Sequence, residues 1–123
     1  MNLEELNHSV TSAILRAEAL KANSWEAQRA FREVADLEEE IATIVGARTA
    51  AGEIARLGAV TAALSAGEPL RALQVGERYV ADGLSAGARA KLDQLLAEAE
   101  ADIVRRAADA PNVDPVRFTL RAA

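Results

Sequence analysis

Residues 24–45, SWEAQRAFREVADLEEEIATIV, form the longest regularly patterned segment of the chain. Its apolar side chains recur at spacings of three and four: Ala27, Ala30, Phe31, Val34, Leu37, Ile41, Ile44 and Val45. That period is typical of a helix with one apolar stripe. Asn23, three residues before Glu26, predicts the N-cap, and Gly46 predicts a left-handed C-cap. We therefore predict a long central helix between these two residues.

Four further helices are predicted on either side of the central one. The first runs from Asn2 or Leu3 to Ala22. The third follows an N-cap at Thr49 and covers 50–66, with Ile54, Leu57, Val60, Thr61 and Leu64 as its apolar face. The fourth covers 69–81 with proline in its first turn, and the fifth covers 86–108 after a cap at Ser85.

Two glycines lie inside the predicted third helix, Gly52 and Gly58. Glycine in a helix interior costs about 1 kcal/mol relative to alanine. Either another helix crosses closely at these positions or a ligand approaches the backbone there.

The last thirteen residues, PNVDPVRFTLRAA, differ in character from the rest. Pro111 and Pro115 disfavour a helix at the start of this tail, and Val116, Phe118 and Leu120 alternate with polar residues. The tail either packs along a helical groove or stays loose until a partner binds it. The predicted fold is all-α, with four to five antiparallel helices as a bundle or short stack of helical hairpins (1–110) and an extended C-terminal tail (111–123).

The turn between the third and fourth helices carries a family resemblance. The phrase from Ala66 to Leu73, AGEPLRAL, resembles the turn and second-helix opening of a tetratricopeptide-type repeat. A weak echo between 19–23 and 63–67 points the same way. The resemblance implies helix pairs that stack, with the fifth helix covering one end. It covers about eight residues and carries no functional residue with it.

Composition excludes several classes of function. The net charge of −5 argues against nucleic acid and anionic membrane surfaces as partners. There is no cysteine, and no apolar run approaches the roughly 18 residues of a membrane span. The first residues lack the pattern of a signal peptide, so we expect a soluble cytoplasmic protein.

Candidate chemical groups are few. His8 is the only histidine, which leaves no pair of Glu-x-x-His motifs for a di-iron site, and no glycine-rich phosphate loop is present. We predict no catalytic residue, no metal ligand and no cofactor.

The predicted function is a non-enzymatic protein-interaction or assembly module, an adaptor or regulator, that uses an apolar helical groove and the C-terminal tail. Its partner is another protein or a second copy, as in a homo-oligomer. The candidate partner-binding residues are Trp25, Tyr79, Val116, Phe118 and Leu120. The alternative is a small-ligand or metal-binding protein, or an enzyme, that uses the acidic face of the central helix at Glu33, Asp36 and Glu40.

Overall fold

A computed structural model describes residues 1–109, and within them the chain is all-α, as predicted. The five helices are α1 (Leu3–Glu18), α2 (Trp25–Ile44), α3 (Ala50–Ser65), α4 (Pro69–Val80) and α5 (Ala86–Asp109). The tail predicted for 111–123, including Val116, Phe118 and Leu120, lies outside the described residues.

The helices pack as consecutive hairpins. Each contacts its neighbour in the chain, and α3 also contacts α5. In residues 1–109, α1 packs on α2 alone, whereas α3 packs on α2, α4 and α5. The arrangement is therefore a short stack of hairpins with α3 at its centre.

Local capping explains most of the helix starts. The Asn2 side chain accepts a hydrogen bond from the Glu5 backbone N–H at 2.8 Å. Thr49 does the same for Gly52 at 3.0 Å, and Ser85 for Ala88 at 3.3 Å. Each cap satisfies an amide that has no partner within its helix. The predicted caps at Thr49 and Ser85 are confirmed.

The predicted start of the central helix is wrong by one residue. Ser24, not Asn23, is the N-cap, and its hydroxyl accepts from the Ala27 N–H at 3.1 Å. Asn23 instead has a φ of 63°, a left-handed conformation that asparagine tolerates better than most residues. The chain needs this residue to reverse direction, because α1 already ends at Glu18 rather than at Ala22.

The predicted left-handed cap at Gly46 is also wrong. The central helix ends at Ile44, and its C-cap residue, Val45, has an extended conformation with φ −103° and ψ 130°. The left-handed glycines of the described chain are Gly67 and Gly83, with φ of 74° and 73°. An extended exit is stable here because the Arg56 side chain donates to the Val45 carbonyl group.

The buried face of α3 agrees with the predicted one only in part. The helix buries mainly small side chains, namely Gly52, Ala55, Ala59, Ala62 and Ala63, together with Arg56 and Val60. Ile54 is 67% exposed, and Thr61 is exposed as well. Small residues face inward because three helices crowd around α3, and only short side chains allow their backbones to approach closely. Of the predicted face, Val60 is fully buried and Leu57 and Leu64 pack partly buried against the core, whereas Ile54 and Thr61 lie at the surface.

Candidate functional site: an apolar groove with a buried carboxyl group

A groove of about 530 Å³ runs over α2 between α1 and α3. It exists because α1 and α3 both pack on α2 without packing on each other, and α5 forms its far wall. We name it the α1–α3 groove and define it by Ile14, Phe31, Glu38, Ile54, Leu57 and Leu95. A second hollow of about 390 Å³ extends it toward the N-terminal half of α1 and shares Ile14, Glu38 and Ile54.

Glu38 lies in the floor of this groove and is only 7% exposed. No donor among residues 1–109 bonds its carboxyl group, yet neither oxygen is sealed from the groove. Burial raises the pKa of Glu38 to about 7, because removal from water disfavours the charged form. Near neutral pH the groove therefore presents an acid that changes charge easily.

Gly58 makes room for this carboxyl group. A Cβ atom at position 58 would lie 3.0 Å from the Glu38 carboxyl carbon. Gly52, one and a half turns earlier, has a different role, since a Cβ atom there would collide with the Gly46 carbonyl oxygen. Of the two glycines in α3, Gly52 leaves room for the backbone of the α2–α3 loop, and Gly58 leaves room for the Glu38 side chain.

The rim of the groove carries three charged residues. Glu18 comes from α1, and Lys91 and Glu98 come from α5. With Glu38 ionised, residues 1–109 give the lining three acids and one base, a charge of −2. The chemistry available is apolar contact area, an acidic rim and one buried acid.

The acidic face predicted on α2 is divided among ion pairs. Glu33 pairs with Arg16 of α1 at 3.2 Å, and Asp36 pairs with Arg71 of α4 at 2.6 Å. Glu39 pairs with Arg71 as well. The described residues contain no cluster of three or more His, Asp or Glu side chains arranged to hold a metal ion. Glu33 and Asp36 of this face, with Glu39, thus join α2 to its neighbours.

Arg56 is buried behind the other side of α3. Its guanidinium donates to Asp82 at 2.9 Å and to the carbonyl oxygens of Ala42, Val45 and Gly52 at 3.0–3.1 Å. It lies 5.6 Å from the centre of the Tyr79 ring. These bonds tie the end of α2 and the α4–α5 turn to α3, which is a structural role.

The described candidate residues from the sequence lie away from the groove. Trp25 is 66% exposed in the first turn of α2, with the Arg29 guanidinium 5.5 Å from its ring centre. Tyr79 is 8% exposed beneath Arg56, and burial raises the pKa of its hydroxyl group. The structure does not bring these two aromatic residues together at the groove.

Sequence reasoning missed the burial of Glu38 and Arg56, and it placed Ile54 on the inward face of α3 rather than at the groove. For Glu38 a signal was present, because it stands four residues after Val34 and three before Ile41, on the apolar stripe of α2. A carboxyl group at that position is a buried acid rather than part of a solvated acidic run.

The fold and the groove define a class: a small all-α protein of consecutive helical hairpins with large apolar side chains exposed at its surface. Comparison with known protein families, with curated proteins and with solved structures finds no match to this chain. None of the described helices is both long and apolar enough to cross a membrane.

Proposed function

We propose that this chain is a non-enzymatic protein-interaction module whose α1–α3 groove binds an apolar segment of another protein or of a second copy. The observation that carries the proposal is the exposure of Ile54 at the edge of an apolar groove. Burying a side chain of this size gains about 1.5–3 kcal/mol, so a partner that covers it is favoured.

The groove suits a peptide segment better than a small molecule. It is open along its length and continues into the second hollow, whereas small-molecule sites enclose most of their ligand. Stacked hairpins commonly present such extended surfaces for binding. The tetratricopeptide-type resemblance at 66–73, which implies stacked helix pairs, is part of this same proposal.

A displayed library of random peptides, selected on the immobilised full chain, tests this function. Selected peptides should bind the wild-type chain, and Ile54→Gln should weaken them at least tenfold in fluorescence anisotropy, because about 1.4 kcal/mol of apolar burial is lost. The matched control is Val104→Gln, since Val104 is 68% exposed but lies outside the groove.

Two results would contradict the proposal. One is a selection that enriches no peptide. The other is a set of peptides whose affinity falls equally with Ile54→Gln and Val104→Gln, because that would place the binding surface elsewhere.

A further inference from the structure

We propose that residues 116–121 of this same chain occupy the α1–α3 groove, with the Arg117 guanidinium bound to the Glu38 carboxyl group, so that a partner must displace them. The inference rests on the proposed function of the groove and adds its regulation. Three observations support it: an unpaired acid in the floor, a matching pattern in the tail, and sufficient reach.

The first observation is the state of Glu38. A buried carboxyl group normally has a hydrogen-bonding partner, because leaving it without one is costly. Glu38 has none among residues 1–109, and its oxygens face the groove. Lys91 belongs to the groove lining but forms no ion pair with Glu38, so residues 1–109 supply no cationic or hydrogen-bond-donating partner for this carboxyl group. An arginine side chain supplies both properties.

The second observation is complementary charge. The groove carries Glu18, Glu38 and Glu98 against Lys91, whereas residues 116–121, VRFTLR, carry two arginines and no acid. The same six residues contain Val116, Phe118 and Leu120, which match the apolar walls. This lining thus favours a segment that is both basic and apolar, and residues 116–121 form such a segment.

The third observation is reach. An α-helix rises 1.5 Å per residue, so Leu95 of the groove lies about 21 Å along α5 from Asp109. Arg117 is the eighth residue after Asp109, and eight residue steps of extended chain span about 26 Å. The distance from α5 across to its neighbours adds about 10 Å at a right angle. Arg117 can therefore reach the groove at the level of Leu95, and Glu38 lines this same groove.

Tethering makes the segment an effective competitor. A segment joined by a short linker acts at an effective concentration of the order of millimolar. A partner then binds only the fraction of molecules whose groove is open, and its apparent affinity falls by that fraction. The tail would therefore raise the partner concentration that is needed to occupy the groove.

The chain has no cysteine, so a disulfide can be introduced without background to test the proposal. The full chain carrying Gln94→Cys and Thr119→Cys places one thiol on the groove and one in the tail. The matched control carries Gln74→Cys and Thr119→Cys. Gln74 is exposed on α4, and the contact of Gly76 with Leu96 sets it at a similar height along α5.

We expect the Gln94 pair to form an intramolecular disulfide at least tenfold faster than the Gln74 pair. Arg117→Gln or Glu38→Gln should remove this preference, and the two together should do no more than either alone. Equal rates for the two pairs would overturn the proposal. Disulfides that form mainly between chains would also overturn it, because the occupant would then be the tail of a second copy.

The disulfide experiment and the peptide selection can give opposite answers, so the two proposals can be rejected independently. Library peptides that bind through Ile54, combined with equal disulfide rates, would retain the binding groove and remove the tail from it. If the tail does occupy the groove, Phe118→Ser should increase the affinity of the full chain for those same peptides.

Discussion

Glu38 is the residue at which the core and the groove meet. Its usual pKa of 4.5 rises to about 7 through burial. Between those two values the unfolded chain has released the proton while the folded chain retains it. The free energy of unfolding therefore falls as the pH rises across this window, and the loss is complete above pH 7. At 1.36 kcal/mol per pKa unit the total is roughly 3 kcal/mol.

This sign gives a prediction for Glu38→Gln. It is made in the chain that carries Arg117→Gln, where no guanidinium offsets the buried charge. Adding Glu38→Gln should raise the free energy of unfolding by roughly 3 kcal/mol at pH 8 and change it little at pH 4.5. Urea unfolding at the two pH values measures this. An equal effect at both would show that Glu38 ionises normally in the folded protein.

Glu38 and Arg56 differ in whether their burial could be predicted from the sequence. Acids and arginines are usually exposed, and an acidic run such as 36–40 is usually a solvated face. Glu38 could be found from its place on the stripe of α2. Arg56 could not, because its burial depends on carbonyl groups of α2 and on Asp82, 26 residues further along the chain.

At the scale of helices, local signals predicted the elements and most of their ends. The prediction of Thr49 and Ser85 as N-caps was correct, because an N-cap depends only on a hydroxyl group and an amide three residues apart. Asn23 and Ser24 are both good caps, and the path of the chain out of α1 decides between them. The predicted inward face of α3 was correct for Val60 and wrong for Ile54 and Thr61, because close packing on three sides favours the small residues of this helix over its large ones.

The two glycines of α3 should respond differently to alanine. Gly52→Ala forces a Cβ atom into the Gly46 backbone and should lower the free energy of unfolding by about 2 kcal/mol, as overpacking does. Gly58→Ala displaces only the end of the Glu38 side chain and gains about 1 kcal/mol of helix propensity. It should therefore unfold within about 1 kcal/mol of the wild type.

Urea unfolding monitored by circular dichroism distinguishes the two variants. Equal losses at both positions would mean that the carboxyl group of Glu38 is held as rigidly as the loop backbone, which would contradict its place beside an open groove.

In the molecule as a whole, the groove exists because α1 and α3 both pack on α2 and do not contact each other. The sequence indicated that an apolar groove would exist, but the gap between α1 and α3 depends on the angle at which each packs on α2. No local pattern encodes that angle. The same arrangement makes the stack uneven, because α1 packs on one helix and α3 on three.

Uneven packing predicts uneven protection from hydrogen exchange. The amides of α1 should exchange faster than those of α3, since α1 can separate from α2 without disturbing the remaining hairpins. Native-state exchange followed by NMR gives both rates in one sample. Equal protection of α1 and α3 at every denaturant concentration would show that the whole chain opens as a single unit.

The chain has two lysines, and their positions make primary amines useful reporters. Lys91 lies at the rim of the α1–α3 groove, while Lys21 is exposed in the turn after α1. An acylating reagent followed by mass spectrometry can thus compare a groove amine with an internal reference in the unmutated protein. Acylation of Lys91 also removes the one positive charge that residues 1–109 contribute to the groove lining, so such a modification would strengthen the preference of the groove for basic segments.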